Sequence, residues 1–231
     1  MKLLNKFIFL GAPTIRTKCY LYYLKKYDLL PQKIYILDSK EQTVCISKSN
    51  KLEFDPQISF KNLIKNIKSE VIYINSDVNK INIKSFFQSE KNKYIIYSGL
   101  PGVILNKKFF KEQPRILHVH GGLLPKYKGS TTFYFSILEE DKIGMSSILL
   151  DSEIDTGQII IRKNFNLEYG VDIDYILDPY LRAKVLIQTI KKIILNKKKK
   201  LQTKIKNNSS EPYFVIHPVL KFFALKKCKL I

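Results

Sequence analysis

Residues 115–138, with the sequence RILHVHGGLLPKYKGSTTFYFSIL, decide how the fold of this chain is interpreted. The segment starts with an apolar run that is typical of a buried strand, and it continues through glycine, proline and lysine residues that are typical of a tight turn. A helix rich in aromatic residues is predicted after the turn. The chain contains 3 histidines, and two of them, His118 and His120, stand at the carboxyl end of the predicted strand.

Short apolar runs and helical patterns alternate in the residues before this segment. Alternation of helices with almost continuously apolar strands is typical of a parallel sheet that is covered on both faces. Ligands of such sheets bind beyond the carboxyl ends of the strands. We therefore predict an α/β fold with a mostly parallel twisted sheet flanked by helices. The predicted strands cover residues 6–13, 33–38, 70–75 and 93–99, and the predicted helices cover residues 14–27 and 60–69.

The residues after the turn predict two further strands and a long helix. The strands lie within residues 146–167 and are joined by the loop DSEIDTG, residues 151–157. The helix covers residues 178–195, with Asp178 as its N-terminal cap and Pro179 in its first turn.

A lysine run, NKKKK at residues 196–200, marks the predicted end of the main domain. We expect one domain over residues 1–195, followed by a basic linker and a short C-terminal segment over residues 196–231. This segment is too short for an independent domain. We expect it to pack back on the core or to form a dimer contact.

The composition indicates a folded protein of the reducing cytoplasm. Hydrophobic residues make up 45% of the 231 residues, which is enough for a packed core and excludes disorder over most of the chain. The 3 cysteines, Cys19, Cys45 and Cys228, have no CxxC or other metal-ligand spacing, so a disulfide framework and a zinc site are disfavoured. The apolar run within residues 1–13 is too short for a signal peptide and is interpreted as the first strand. No apolar run approaches the ~20 residues that span a bilayer, so no membrane insertion is expected.

The formal net charge of +20 allows two interpretations. A strongly basic surface attracts nucleic acids, nucleotide phosphates and anionic membranes. The excess of lysine, together with many isoleucines and asparagines, is also what an AT-rich coding sequence produces, with the lysines spread over a solvated surface.

His120 and Asp155 are the candidate acid–base pair of the chain. His120 precedes a glycine pair, where small residues let a ligand approach the backbone, and Asp155 lies in a loop closed by Thr156 and Gly157. An imidazole paired with a carboxylate is a base that can work near neutral pH. A structural histidine in the core is the alternative interpretation. A metal site formed by His118, His120 and Asp155 is a further alternative, because residues i and i+2 of a strand share a face.

These motifs resemble the core of the formyltransferases that use 10-formyltetrahydrofolate. That family has an Asn-x-His pair, then a Leu-Pro-x-Tyr-Arg-Gly turn, and then a loop with Asp-Thr-Gly or a similar sequence. Here the turn reads LPKYKG at residues 124–129, with Lys128 where arginine is usual, and the loop reads DTG at residues 155–157. The resemblance covers roughly residues 1–195 and implies a Rossmann-like formyltransferase fold with a short C-terminal extension.

The resemblance also implies roles for the site residues. In the family, the histidine at the position of His120 takes a proton as the substrate amine attacks the formyl carbon, and the aspartate at the position of Asp155 orients it. The family's asparagine, which donates to the developing oxyanion, is replaced here by His118, whose ring nitrogen can also donate. No metal is expected. The residues expected to bind the formyl donor, 10-formyltetrahydrofolate, are Pro101, Gly102, Val103, Ile104, Phe109, Leu150 and Asp155.

The acceptor amine is expected to belong to a nucleotide-linked amino sugar, such as a dTDP- or UDP-amino-deoxysugar used for lipopolysaccharide O-antigen or capsule. Family members that act on glycinamide ribonucleotide resemble one another in a glycine-rich loop after the first strand, which the sequence GAPTIRTK at residues 11–18 does not match. Members that act on methionyl-tRNA carry a sizeable C-terminal domain, for which residues 196–231 are too few. The resemblance to sugar-modifying members also implies a homodimer.

Three alternatives stay open at this point. The first is a methionyl-tRNA formyltransferase-like enzyme that acts on another amine. The second is a non-catalytic binding protein with the formyltransferase fold, in which His118 marks the lost chemistry. The third is a nucleic-acid binder that uses Lys197 to Lys200, and it leaves the two neighbouring histidines unexplained.

Overall fold

The computed structural model describes residues 3–46, 52–75, 77–81, 90, 93–110, 115–195 and 211–231. The chain divides into two units, Met1–His118 and Val119–Ile231. The lysine run at residues 196–200 and most of the predicted linker lie outside the described residues. The boundary at residue 195 therefore stays a prediction.

The first unit contains strands that pair in parallel with one another, and the last of them ends at His120, two residues beyond the boundary of the unit. Two of these strands are buried along their whole length, as their continuous apolar sequences predict. The parallel pairing confirms the predicted mostly parallel sheet. The strands are β1 (Phe7–Gly11), β2 (Lys33–Leu37), β3 (Glu70–Ile74), β4 (Tyr94–Ser98) and β5 (Arg115–His120), and they lie in the order β3-β2-β1-β4-β5.

Two helices of the first unit follow the predicted pattern. Helix α1 (Ile15–Lys26) begins after Thr14, whose hydroxyl accepts a hydrogen bond from the amide of Thr17. Helix α2 (Phe60–Lys65) is shorter than the predicted range of residues 60–69, because the chain must leave the helix before it enters β3.

The second unit contains an antiparallel strand pair and three helices. Strands β6 (Lys142–Leu149) and β7 (Gln158–Asn166) pair along most of their length, which confirms the two predicted strands and the loop between them. The helices are α3 (Thr132–Glu140), α4 (Asp178–Leu195) and α5 (Pro218–Lys227).

The prediction that Asp178 caps α4 is wrong. The helical backbone begins earlier, with a π-helical turn at Ile173–Leu177, and the carboxylate of Asp172 accepts from the amide of Tyr175 as the cap. Asp178 has helical dihedral angles and pairs with Arg182 one turn later. An Asp-Pro pair is compatible with a helix that continues from an upstream cap, so the sequence pattern could not distinguish the two starts.

The C-terminal segment packs on the core of the second unit, which is one of the two arrangements that we expected from the sequence. The ammonium group of Lys227 lies 2.8 Å from a carboxylate oxygen of Asp141, at the end of α3. That of Lys221 lies 2.6 Å from Asp174. The side chain of Cys228 is fully buried. Helix α5 is thereby held to the unit by Lys221 and by its C-terminal end.

Apolar side chains of the C-terminal segment are nevertheless exposed. Within the parts of the chain that the structure describes, no helix combines the length and the apolarity needed to cross a bilayer. The exposed side chains are Phe214, Val215, Val219, Leu220, Phe222 and Phe223, with exposed fractions between 42% and 88%.

Lys18 is a fully buried cation in the first unit. Its ammonium group donates to a carboxylate oxygen of Glu41 at 3.2 Å and to the carbonyl oxygens of Gln42 and Ile58 at 3.2 and 3.0 Å. All three donor positions of the ammonium group are therefore used, which offsets the cost of removing the charge from water.

We expect Lys18→Ala to lower the free energy of unfolding by about 3–5 kcal/mol, because it breaks the ion pair with Glu41, whose carboxylate keeps only the amide of Phe60, and leaves two carbonyl groups without their donor. Urea denaturation followed by circular dichroism measures the change. Lys25→Ala, at an exposed position of the same helix, is the matched control and should change the value by less than about 0.5 kcal/mol. Equal stability of the two variants would show that Lys18 does not hold this part of the unit.

Candidate active site

His120 is the last residue of β5, and its ring is held on two sides by groups of the second unit. Nδ1 lies 3.4 Å from Oδ2 of Asp155. Nε2 lies 2.7 Å from the carbonyl oxygen of Tyr127 and 3.2 Å from Oγ1 of Thr132. Only 6% of the side chain is exposed. The structure thus brings the predicted acid–base pair together.

The partners of Nε2 determine which ring nitrogen carries the proton in the neutral form. The hydroxyl of Thr132 donates to the carbonyl oxygen of Gly121 at 2.6 Å, so Thr132 faces Nε2 as an acceptor. The carbonyl of Tyr127 can only accept. Nε2 therefore holds the proton, and Nδ1, on the side of Asp155, is the nitrogen that can take up another. The resulting imidazolium would be stabilised by the carboxylate, and the 3.4 Å contact would become a charge-assisted hydrogen bond.

Asp155 is fixed by its own backbone and by a hydrogen bond. Its φ angle is 53°, in the left-handed region that aspartate enters more readily than most residues. Its Oδ2 accepts from the amide of Gly129 at 2.9 Å. A Cβ atom on Gly157 would lie 1.9 Å from the carbonyl oxygen of Leu149, so this loop position requires glycine. The Asp-Thr-Gly residues therefore form a loop that places one carboxylate oxygen of Asp155 against the amide of Gly129 in the turn.

The turn after β5 supplies the other contacts of the pair. Its Leu124–Pro125 peptide bond is cis, and Gly129 has a φ angle of 97°. The side chain of Tyr127 is fully buried and donates to Oε2 of Glu139 at 3.0 Å. Lys128, which stands where the family has arginine, is also buried.

A buried ion pair behind the strand was missed by the sequence reasoning. Nε of Arg182 donates to both carboxylate oxygens of Asp178 at 2.8 Å, and another guanidinium nitrogen donates to the carbonyl of Val119. A Cβ atom on Gly121 would lie 2.3 Å from this guanidinium group. The pair therefore fixes the backbone on both sides of His120. The Asp-x-x-x-Arg spacing on a predicted helix is the signal that could have indicated it.

His118 lies in the first unit and is half-buried. Its ring centroid is 6.3 Å from that of Tyr97, a residue of β4 that was not among the predicted site residues. The hydroxyl of Tyr97 is buried, and no hydrogen-bond partner for it is found among the described residues. Burial raises the pKa of Tyr97 to about 12, so this hydroxyl keeps its proton at neutral pH.

The segment after β4 carries most of the residues expected to bind the formyl donor. Pro101, Gly102, Val103 and Ile104 are exposed, and no atom lies within 4 Å of the position that a Cβ atom of Gly102 would take. Phe109 lies in a 3₁₀ turn and is fully buried, so it supports this segment from inside. The loop thus offers apolar side chains and an open stretch of backbone on the surface of the first unit.

Leu150, the expected donor contact in the second unit, follows β6 and is half-buried. It packs against a core cluster of Leu124, Ile148 and Ile159. In the described ranges, no cluster of three or more histidine, cysteine, aspartate or glutamate side chains could hold a metal ion.

The sequence profile of a family described as formyl transferase matches residues 40–177 of this chain. Among curated proteins, a methionyl-tRNA formyltransferase from Helicobacter pylori is 38% identical over 93 residues, which are 39% of this chain and 30% of that protein. Matches to the first three such relatives span only 30–35% of their length.

Two solved structures extend the comparison to almost the whole chain. Phosphoribosylglycinamide formyltransferase from Anaplasma phagocytophilum has a TM-score of 0.62 and 13% identity, over 93% of this chain and 98% of that one. An N-formyltransferase from Helicobacter canadensis, in complex with folinic acid and dTDP-3-aminofucose, has a TM-score of 0.58 and 22% identity, over 91% of this chain and 71% of that one. At these identities the likeness concerns the fold.

We expect Gly122→Ala to destabilise the second unit by about 1–3 kcal/mol, because the space at this position is too small for a methyl group. Its Cβ atom would lie 2.4 Å from the carbonyl oxygen of Tyr127 and 2.7 Å from Nε2 of His120. Denaturant unfolding measures the loss, with Ser152→Ala, an exposed position of the same unit, as the control. A Gly122→Ala protein as stable as the control would mean that the contacts around Nε2 of His120 are loose.

Proposed function

Since the chain belongs to the formyl transferase family, we propose that it is an enzyme that transfers a formyl group from 10-formyltetrahydrofolate to the amine of a nucleotide-linked amino sugar. The observation that carries the proposal is the contact between His120 and Asp155, on the turn and the loop whose motifs define the resemblance.

His120 acts as the general base in this proposal. Its Nδ1 accepts the proton that the acceptor amine loses as the amine nitrogen bonds to the formyl carbon. The bond between the formyl carbon and the donor nitrogen then breaks, and the same proton is available for that leaving nitrogen. Asp155 holds the ring in place and stabilises its positive charge. General-base catalysis by a positioned side chain contributes on the order of 10²–10⁴-fold in rate.

His118 is the proposed hydrogen-bond donor to the oxyanion. It stands two residues before His120 in β5, and side chains at such positions share one face of a strand. A ring N–H can donate to the formyl oxygen as it becomes negative, although its reach and direction differ from those of an amide.

The exposed segment after β4 suits the formyl donor. 10-Formyltetrahydrofolate supplies the formyl carbon when it is bound, and its ring system is flat and partly apolar. Val103 and Ile104 expose 38% and 67% of their side chains, which gives such a ring a surface to pack on, and Gly102 leaves the backbone open to polar contacts. Leu150 and Asp155 are the proposed contacts from the second unit.

The proposed acceptor rests on the fold comparison and on charge. The Helicobacter canadensis enzyme was crystallised with a dTDP-linked amino sugar, and this chain matches 71% of it. The net charge of +20 favours an acceptor that carries a diphosphate. The curated sequence relatives favour methionyl-tRNA, which makes it the second candidate acceptor.

The proposal extends to the oligomeric state and the compartment. We propose a homodimer, in which the exposed apolar residues of the C-terminal segment are covered by a second copy. We also place the enzyme in the cytoplasm, where its three free cysteines would stay reduced and where nucleotide sugars for lipopolysaccharide or capsule are made.

Calorimetry with a stable 10-formyltetrahydrofolate analogue, alone and with a panel of dTDP- and UDP-amino sugars, tests the function. We expect the analogue and at least one amino sugar to bind, and mass spectrometry to find that sugar formylated when the true donor is supplied. His120→Gln should keep both ligands and lose about 10²–10⁴-fold in kcat, because only the base is removed.

Other results would overturn parts of the proposal. Binding of a sugar nucleotide without the donor analogue would indicate a non-catalytic binding protein. Formylation of methionyl-tRNA, with no sugar bound, would replace the sugar by tRNA as the acceptor. Full activity of His120→Gln would remove His120 from the mechanism.

We expect His118→Asn to raise kcat, because an amide restores the usual donor to the formyl oxygen. One such donor is worth about 2.7–4 kcal/mol, which limits the gain to about 10²–10³-fold. Single-turnover rates with saturating donor measure the change, with the Kd of the donor analogue as the check that binding is unaltered. A lower rate would mean that the imidazole has a function of its own at this position.

A further inference from the structure

The backbone of residues 127–130 has different partners on its two edges, all within the second unit. On one edge, the carbonyl of Tyr127 faces Nε2 of His120, and the amide of Gly129 donates to Asp155. The carbonyl of Lys128 and the amide of Ser130 bond on the opposite edge.

Tyr213 occupies that opposite edge. Its amide donates to the carbonyl of Lys128 at 2.8 Å, and its carbonyl accepts from the amide of Ser130 at 2.8 Å, which makes a parallel bridge centred on Gly129. A Cβ atom on Gly129 would lie 2.2 Å from the carbonyl oxygen of Tyr213. The absence of a side chain at residue 129 therefore permits the close approach of the two backbones.

The side chain of Tyr213 anchors the same contact. Its hydroxyl donates to Oε1 of Glu139 at 3.2 Å, and Oε2 of this carboxylate accepts from Tyr127 at 3.0 Å. Its ring lies 5.9 Å from that of Tyr127 and 4.4 Å from that of Phe135, measured between centroids. Burial, and then the charge of Glu139, raise the pKa of Tyr213, so the hydroxyl stays a donor at neutral pH.

A fourth bond extends the contact towards α3. The amide of Ile216 donates to Oγ1 of Thr131 at 2.8 Å. Thr131 has a φ angle of 48° and makes no side-chain cap for α3, so its hydroxyl serves the C-terminal segment instead. Residues 213–216 thus bind the turn from residue 128 to residue 131.

We propose that Tyr213 is a positioning residue for the His120–Asp155 pair, and that it acts through the 127–130 backbone. The proposal rests on the proposed function. The carbonyl that selects the tautomer of His120 and the amide that holds Asp155 belong to one short stretch of the turn. Tyr213 forms the β-bridge that fixes this stretch. Its loss lets both groups move, and the base then loses its orientation.

Tyr213→Ala tests the proposal, and Phe214→Ala is the matched control. Phe214 is the next residue of the same segment and exposes 88% of its side chain. We expect Tyr213→Ala to lower kcat by about 10²-fold, since displacements of about 1 Å cost this much, and to leave the Kd of the donor analogue unchanged. Phe214→Ala should keep the kcat of the wild type. Tyr213→Phe keeps the ring and the backbone bonds, and it should retain most of the activity.

A second measurement does not depend on turnover. Long-range ¹H–¹⁵N spectra distinguish protonated from bare imidazole nitrogens, and the signals of the 3 histidines can be assigned with His118→Gln and His217→Gln. In the wild type at a pH where His120 is neutral, we expect the proton on Nε2. In Tyr213→Ala we expect a mixture of both tautomers, and in Phe214→Ala the wild-type signal.

Unchanged kcat and an unchanged His120 tautomer in folded Tyr213→Ala would overturn the proposal. Equal losses in Tyr213→Ala and Phe214→Ala would also overturn it, because the effect would then come from the segment in general. If Tyr213→Ala does not fold, Tyr213→Leu, which removes the ring contacts and the hydroxyl but keeps a large side chain, decides by the same spectra, and wild-type signals and kcat in it would overturn the proposal. If the wild type formylates no acceptor, the proposed function fails, and the imidazole spectra still decide the positioning role.

Discussion

The hydrogen bond from the amide of Gly129 to Asp155 is the constraint on which the candidate site depends. The oxygen that accepts it is the one that lies 3.4 Å from Nδ1 of His120, so a single carboxylate oxygen joins the turn after β5 to the loop after β6. The left-handed backbone of Asp155 carries a cost of order 1–3 kcal/mol. The hydrogen bond between the loop and the turn offsets that cost and holds the carboxylate in one orientation.

Other elements of the second unit hold the backbone around the pair of His120 and Asp155. Arg182 and Asp178, buried on α4, hold the backbone on both sides of His120. Tyr213 holds the turn from its other edge. A base that must meet a bound amine within a fraction of an ångström needs such support, because Tyr127 and Asp155, which contact its ring, lie in a turn and a loop. The long helix and the C-terminal segment are thereby linked to the chemistry without contacting it.

The histidine at position 118 separates this chain from the family pattern. An amide is a neutral donor at every pH, whereas an imidazole can donate in either protonation state and bears a charge in one of them. Tyr97, whose ring is the neighbour of His118, keeps its hydroxyl neutral because burial raises its pKa to about 12. In the proposal, the donor that faces the formyl oxygen is therefore a group that can carry a positive charge, whereas the asparagine of the family is always neutral.

The sequence by itself determined the parallel strands, the strand pair after the turn, and the place of His120 at a strand end, because apolar periodicity and turn residues act locally. It also indicated Asp155, first as a carboxylate in a loop closed by glycine and then through the resemblance. Only the tertiary structure decided that Asp178 pairs with Arg182 instead of capping α4, and that Tyr213 lies against the turn. Tyr213 and Gly129 are distant in the chain, and the start of the helical backbone depends on the upstream cap Asp172. Local patterns carry no information on which distant groups meet, since that depends on how whole elements pack and on which buried polar groups need partners.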